Sequence, residues 1–229
     1  MSRIALGKSL GLYVALALLN CAFLLPVEAN EPSAGNGVHV ELHARIGYLG
    51  KQYPQVEPLS LVDKIYDDAG LQGARVGIIE DNMTGRLIGH DYKLVEAIVP
   101  ESDDIVVKAK ELLADGIKLI VADLEPADLI AVSDLPEASD ALIFNVQSSD
   151  VALRHENCRR NVFHIPPDWA MRADALAQYL IWKKWKRWVL IAGERPKDVA
   201  FADALRRAAK RFGGKIIAER TYAYSGGSR

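Results

Sequence analysis

Cysteine is almost missing from this chain: of 229 residues only Cys21 and Cys158 are cysteine. A framework of internal disulfides is therefore excluded, and a small disulfide-stapled fold with it. A surplus of either charge is missing too. Twenty-eight Lys and Arg stand against 30 Asp and Glu, for a net charge of -2 and a pI near 6.2. Without a basic excess there is no electrostatic footprint for nucleic acid, and no nucleic-acid partner is expected. Enzyme signatures are absent as well: no G-x-S-x-G elbow, no phosphate loop and no H-E-x-x-H, and Gly70, Gly73 and Gly77 lack the dinucleotide spacing. His155, Cys158 and His164 match no standard zinc pattern, so neither metal nor cofactor is expected.

What is present is an ordinary globular balance, 50% hydrophobic and 25% charged, long enough for one large domain or two small ones. Residues 1–29 stand apart. Arg3 and Lys8 precede an apolar run from Leu10 to Leu25, and Val27-Glu28-Ala29 offers small residues where a signal peptidase reads. This reads as an export signal cleaved after Ala29; a retained anchor is the alternative. Leu18-Leu19-Asn20-Cys21 resembles a lipoprotein box. Asn20, however, stands where such boxes carry a small residue, and the apolar run continues past the cysteine. Once the signal is removed Cys158 is the single cysteine, expected as a free, partly buried thiol, with a partner in sequence beyond these residues as the alternative.

Residues 30–37, rich in Gly, Pro, Ser and Asn, read as a lead-in. Strands are expected from Val38 to Leu49, His90 to Val99, Ile117 to Ala122, Asp140 to Asn145 and, briefly, Asn161 to Ile165. Helices fall between them. One carries Leu71, Ala74, Ile78 and Asn82 and closes at Gly85; a second is capped at Asp103 or Asp104 and ended by Gly116; a short third covers Glu125 to Val132. After Ile165-Pro166-Pro167 comes the most legible stretch. Trp169, Ala173, Leu176, Ala177 and Leu180 share one side of a helix, with Trp182 turned away. Trp188-Val189-Leu190-Ile191-Ala192 is an apolar run suited to a buried parallel strand. Phe201, Leu205, Ala208 and Phe212 mark another helix, stopped by Gly213-Gly214, and Lys215 to Tyr222 is a final strand. Alternating strands and helices imply crossover units on parallel sheets. The prolines suggest a division into residues 30–165 and 166–229. Two strands and two helices are a thin basis for a closed core, so the second region reads as incomplete.

The stretch Asn82-Met83-Thr84-Gly85-Arg86-Leu87-Ile88-Gly89, followed by a strand from Asp91, resembles the solute-binding proteins of ABC transporters, of the branched-chain amino-acid-binding type. Ser60-Leu61, Gly70-Leu71-Gln72-Gly73-Ala74-Arg75, Cys158 to His164, and Ala175 to Lys183 through Trp188 resemble the branch associated with pyrroloquinoline-quinone-dependent alcohol dehydrogenase systems. The resemblance spans roughly Arg45 to Tyr222. It implies a type I periplasmic-binding fold, two Rossmann-like α/β lobes with parallel sheets, and a solute held between them. It also implies a periplasmic, monomeric protein that partners the membrane permease subunits of an ABC transporter and does no chemistry. The family's chain crosses between lobes three times, and only the first crossing, near Ile165 to Asp168, is placed here. Residues 30–229 alone are accordingly expected to bind weakly.

Ligand contacts are expected at the C-terminal strand ends. Asp123, Leu124 and Glu125 follow the third strand, where amino-acid binders hold a carboxylate with hydroxyls and backbone N–H groups. Here Asp123 as a helix cap and Glu125 in the first turn explain the pattern without a ligand, and they disfavour a carboxylate in the site. Asn145, Gln147, Ser148 and Ser149 offer amides and hydroxyls after the fourth strand, as ligand contacts or as a plain polar turn. Trp169 serves as cleft wall or core, and Glu194 and Arg195 face the same cleft from the second lobe. Trp182-Lys183-Lys184-Trp185-Lys186-Arg187-Trp188 mixes aromatics and cations, a composition that can bind nucleic acid or a membrane surface, but a helix dipole explains the cations and packing the tryptophans. A Rossmann-like enzyme shares the same element order, and a periplasmic sensor or accessory protein would use the same fold without transport.

Overall fold

The computed structural model describes residues 41–54 and 66–223. The export signal, the 30–37 lead-in, Val38 at the start of the first expected strand, Pro58, Ser60-Leu61 and the tail from Tyr224 lie outside the described residues. Five strands form one parallel sheet in the order β2-β1-β3-β4-β5: β1 Leu42–Lys51, β2 His90–Val99, β3 Leu119–Asp123, β4 Leu142–Asn145 and β5 Val162–His164. Helix α1, Ala69–Gly85, joins β1 to β2; α2, Ile105–Ala114, joins β2 to β3; α3, Pro126–Ser133, follows β3. The chain steps from β1 one way to β2 and then back past β1 to β3. Right-handed crossovers therefore put α1 on one face of the sheet and α2 and α3 on the other.

The α2 and α3 face holds the main core. Ile105 and Ala109 of α2 and Leu129 and Val132 of α3 pack on Leu49, Ile120, Ala122 and Ile143, all at most 1% exposed. Each large side chain sealed this way contributes about 1.5–3 kcal/mol. Asp104 caps α2, accepting from the Val106 N–H at 2.8 Å, and Gly116 turns the chain out at φ 79°, a left-handed conformation that favours glycine. On the opposite face Asn82 fastens α1 to β2, its amide donating to the Tyr92 carbonyl and accepting from the Tyr92 N–H, each at 2.8 Å. Gly85 lets that approach happen, since a Cβ there would meet the His90 carbonyl oxygen at 3.1 Å.

A second sheet pairs β6, Arg187–Gly193, in parallel with β7, Lys215–Tyr222, under α4, Trp169–Trp182, and α5, Pro196–Phe212. Its core is small: Ala173, Ala177, Ala204 and Ala208, with Trp169, Trp188, Phe201, Leu205 and Phe212 against them. Leu176, expected on the packed side of α4, is 41% exposed. The passage between the sheets is tied down. Asp168, 4% exposed, caps α4 through the Met171 N–H at 2.8 Å and faces the Arg154 guanidinium at 3.5 Å. Arg154 also donates to the Pro166 carbonyl at 2.9 Å, and the Trp169 N–H donates to the Ser149 carbonyl at 2.9 Å.

Three expectations are corrected. Val189 and Ile191 of β6, expected in a buried strand, are 58% and 66% exposed, because only the face carrying Trp188 packs on the alanine core. Cys158 is exposed rather than partly buried, because it lies in the turn leading into β5. Trp182 and Trp185 are 69% and 60% exposed, so packing explains only Trp188, whose ring lies against Gly214 and whose indole N–H donates to the Trp185 carbonyl at 2.5 Å. Among the described residues no helix is long and apolar enough to cross a membrane.

Candidate functional site

A polar cavity of about 650 Å³ opens where β1, β3, β4 and β6 end. Lys51 closes β1, Asp123 closes β3, Gln147 follows β4, and Arg195 and Lys197 follow β6; the first residues of α1, Ala69 and Gly70, complete the wall. Parallel strands bring their C-terminal ends to one edge, which is why residues far apart in sequence converge there. A second cavity of about 680 Å³ runs between α1 and the sheet, lined by Ile46, Leu94, Val121 and Ile78. The two share Gly70, Asp123 and Gln147.

Asp123 is the hinge of this geometry. Its carboxylate accepts the Tyr48 hydroxyl at 2.5 Å, and Gly70 packs so closely on the pair that a Cβ would meet both the Tyr48 oxygen and the Asp123 carboxylate. Burial, and then the hydrogen bond to Asp123, push the Tyr48 hydroxyl well above the usual phenol range. The expected capping role of Asp123 is thus corrected: the N-cap of α3 is Glu125, whose side chain makes no capping bond. That helix end is satisfied from the segment just past β1 instead. The Tyr53 hydroxyl accepts the Glu125 N–H at 2.9 Å and donates to Asp128, in the first turn, at 2.6 Å. Burial and the bond to Asp128 likewise raise the Tyr53 hydroxyl.

Of the residues singled out in the sequence, Asp123, Glu125, Gln147 and Arg195 line the cavity together. Leu124 is fully buried in the main core. Asn145 is fully buried and closes its own turn, accepting from the Ser148 N–H at 2.8 Å and donating to the Ser148 carbonyl at 2.7 Å. Ser148 and Ser149 are buried in the same turn, so only Gln147 of that loop reaches the cavity. Trp169 packs on Phe201 with ring centroids 5.3 Å apart and planes tilted by 45°, and Glu194 is exposed outside the lining. Sequence reasoning missed Lys51, Tyr53, Asp67 and Lys197. The alternation of β1 places Lys51 at its end, but only the three-dimensional crossing shows what it meets.

Two of the cavity's cations are already engaged, Lys51 with Asp128 at 3.6 Å and Arg195 with Asp198 at 2.7 Å. The Arg195 guanidinium holds the Asp198 carboxyl below the usual range. Against them stand Asp67, Asp123 and Glu125. Such an arrangement offers hydrogen bonds and charge of both signs. Among the described residues no cluster of His, Cys, Asp and Glu is arranged to hold a metal ion.

Residues 67–228 match the sequence profile of the family described as periplasmic binding protein. The chain belongs to that family. This periplasmic binding protein has the type I α/β fold, and solved structures agree. A branched-chain amino acid ABC transporter periplasmic ligand-binding protein from Burkholderia xenovorans LB400 is 17% identical with a TM-score of 0.64, over 80% of this chain and 47% of its own. An ABC transporter substrate-binding protein from Desulfitobacterium hafniense in complex with Leu is 19% identical, TM-score 0.57, over 80% and 51%. The leucine-, isoleucine-, valine-, threonine- and alanine-binding protein of Brucella ovis, in a closed conformation, is 16% identical, TM-score 0.58, over 80% and 47%. The periplasmic binding protein described here spans about half the length of these structures. No curated protein matches it in sequence.

Proposed function

We propose that this periplasmic binding protein is the solute-binding component of an ABC-type uptake system, exported by a signal cleaved after Ala29 and delivering its solute to membrane permease subunits. Residues 30–165 form one lobe, and residues from 166 begin a second that supplies the opposite wall of the site. The observation that carries this reading is the polar cavity at the strand ends, where Asp123, Glu125 and Gln147 meet Arg195 and Lys197. The protein acts as a monomer and turns nothing over.

The solute is small and neutral or cationic. Relatives of this fold include proteins whose names specify leucine, yet here a carboxylate ligand would lie beside Asp123 and Glu125 while Lys51 and Arg195 are engaged elsewhere. A like charge at about 4 Å costs on the order of 1–4 kcal/mol, roughly tenfold or more in affinity. The resemblance to the branch associated with quinone-dependent alcohol oxidation supports a solute from that chemistry. Thermal-shift screening against alcohols, amines, amino acids, small acids and cofactors tests the reading. A polar neutral or cationic solute raises the melting temperature and is recovered unchanged, whereas conversion of a hit to product transfers the protein to the enzymes.

A further inference from the structure

Four cations, Lys183, Lys184, Lys186 and Arg187, crowd the turn between α4 and β6, and all are exposed. The turn between α5 and β7 lies beside it. Arg187 is in register with Lys215, and the Lys215 N–H donates to the Lys186 carbonyl at 2.7 Å, which adds Lys215 and, from the last turn of α5, Lys210 to the same end. No acidic residue occurs from 175 to 193 or from 204 to 218. In a chain of net charge -2, one end of the second sheet, its tip, is thus rich in cations, and Arg211 beside Lys210 is paired with Asp174 at 2.7 Å.

The same tip exposes large aromatic rings. Tyr179, Trp182 and Trp185 are 50%, 69% and 60% exposed, and Lys183 lies over the Trp182 ring at 4.4 Å and near Tyr179 at 5.6 Å. A helix dipole accounts for cations at the end of α4 but not for two indoles left in water. Lys184 turns the chain at φ 66°, and neither Trp182 nor Trp185 belongs to the small alanine core.

We infer that this tip docks on the surface of an anionic phospholipid bilayer. Indole and phenol rings combine an apolar body with a polar edge and settle at the headgroup level, while lysines around them are drawn to negative lipid. The patch is a pair of adjacent turns rather than a groove that could follow a nucleic-acid strand, which favours the lipid surface. It also lies at the start of β6, and the polar cavity lies past its end, roughly 20 Å away along the strand. Docking there leaves the cavity mouth open.

The test is tryptophan emission and sedimentation of the full chain with phosphatidylcholine vesicles and with vesicles containing phosphatidylglycerol. The expected result with phosphatidylglycerol is a blue shift and protection from iodide quenching, reversed at high salt and absent with phosphatidylcholine alone. Because the apolar run Leu10–Leu25 could hold the chain on any vesicle, the decisive comparison is with variants. Trp182→Ala/Trp185→Ala, at exposed positions, abolishes the blue shift, and Lys183→Glu/Lys186→Glu lowers the charge-dependent part of binding by about tenfold or more. The proposal is overturned if both variants bind phosphatidylglycerol vesicles like the parent. It is equally overturned if an oligonucleotide produces the shift in place of lipid, or if the shift grows with protein concentration in the absence of vesicles, which would assign the patch to a second copy.

Discussion

Tyr48 and Asp123 meet across 2.5 Å in the cavity wall, with Tyr48 only 2% exposed. A hydrogen bond to a charged group contributes about 1.5–3 kcal/mol, so Tyr48→Phe is expected to destabilise the protein by that amount in urea unfolding. Gly70→Ala pushes a methyl into the same pair and is expected to be costly in the parent but less so in a Tyr48→Phe background. Additive losses would show that the glycine is needed for some other reason. His164 offers a pH test. Its ring nitrogen contacts the Asn145 amide at 3.0 Å, and burial, then the nearby Arg154 cation, lower its pKa below the ordinary value of about 6.5. The unfolded chain therefore binds the proton more readily. This contribution to stability is complete above about pH 6.5 and is lost as the pH falls towards the folded value. Melting temperatures from pH 8 to 5 should fall less steeply in His164→Gln than in the parent; parallel curves would remove His164 from the account.

The elements themselves were largely legible. β2 runs His90–Val99 and β7 Lys215–Tyr222 as their apolar patterns require, and Gly213 stops α5 at φ 79°. What periodicity does not carry is the direction of a polar side chain. Asn145 at a strand end reads equally as a ligand contact or as a turn-closing group, and only the position of its amide against Ser148 decides. The start of α3 misleads for a related reason. Asp123 and Glu125 have the local signature of a cap, but the group that serves the helix is Tyr53, which is 72 residues from Glu125 in sequence. Tyr53→Phe is expected to remove about 1 kcal/mol by freeing the Glu125 N–H and the Asp128 carboxylate. Circular dichroism melts of this variant, unchanged from the parent, would mean that water caps the helix as well.

The molecule carries two sheets joined through Arg154, Asp168 and the prolines between β5 and α4. All four tryptophans, Trp169, Trp182, Trp185 and Trp188, belong to α4, β6 and the turn between them, so their emission follows the second sheet alone. Arg154→Ala removes the cation that faces the buried Asp168. Its tryptophan transition should move to lower urea than its far-ultraviolet circular dichroism, and an equal shift of both would show that the junction does not couple the two sheets. Part of the first sheet's α1 face remains open to water, with Leu142 and Phe163 42% and 47% exposed. The cavity rests on both sheets, since Asp123 and Gln147 come from one and Arg195 and Lys197 from the other. Its charge pattern is the central claim, and titration calorimetry with leucine, short alcohols and short amines reads it most directly. The account predicts no leucine binding by the parent protein, binding of a neutral or cationic solute, and leucine affinity gained by at least about tenfold in Asp123→Ser/Glu125→Ser. Tight leucine binding by the parent protein would contradict it.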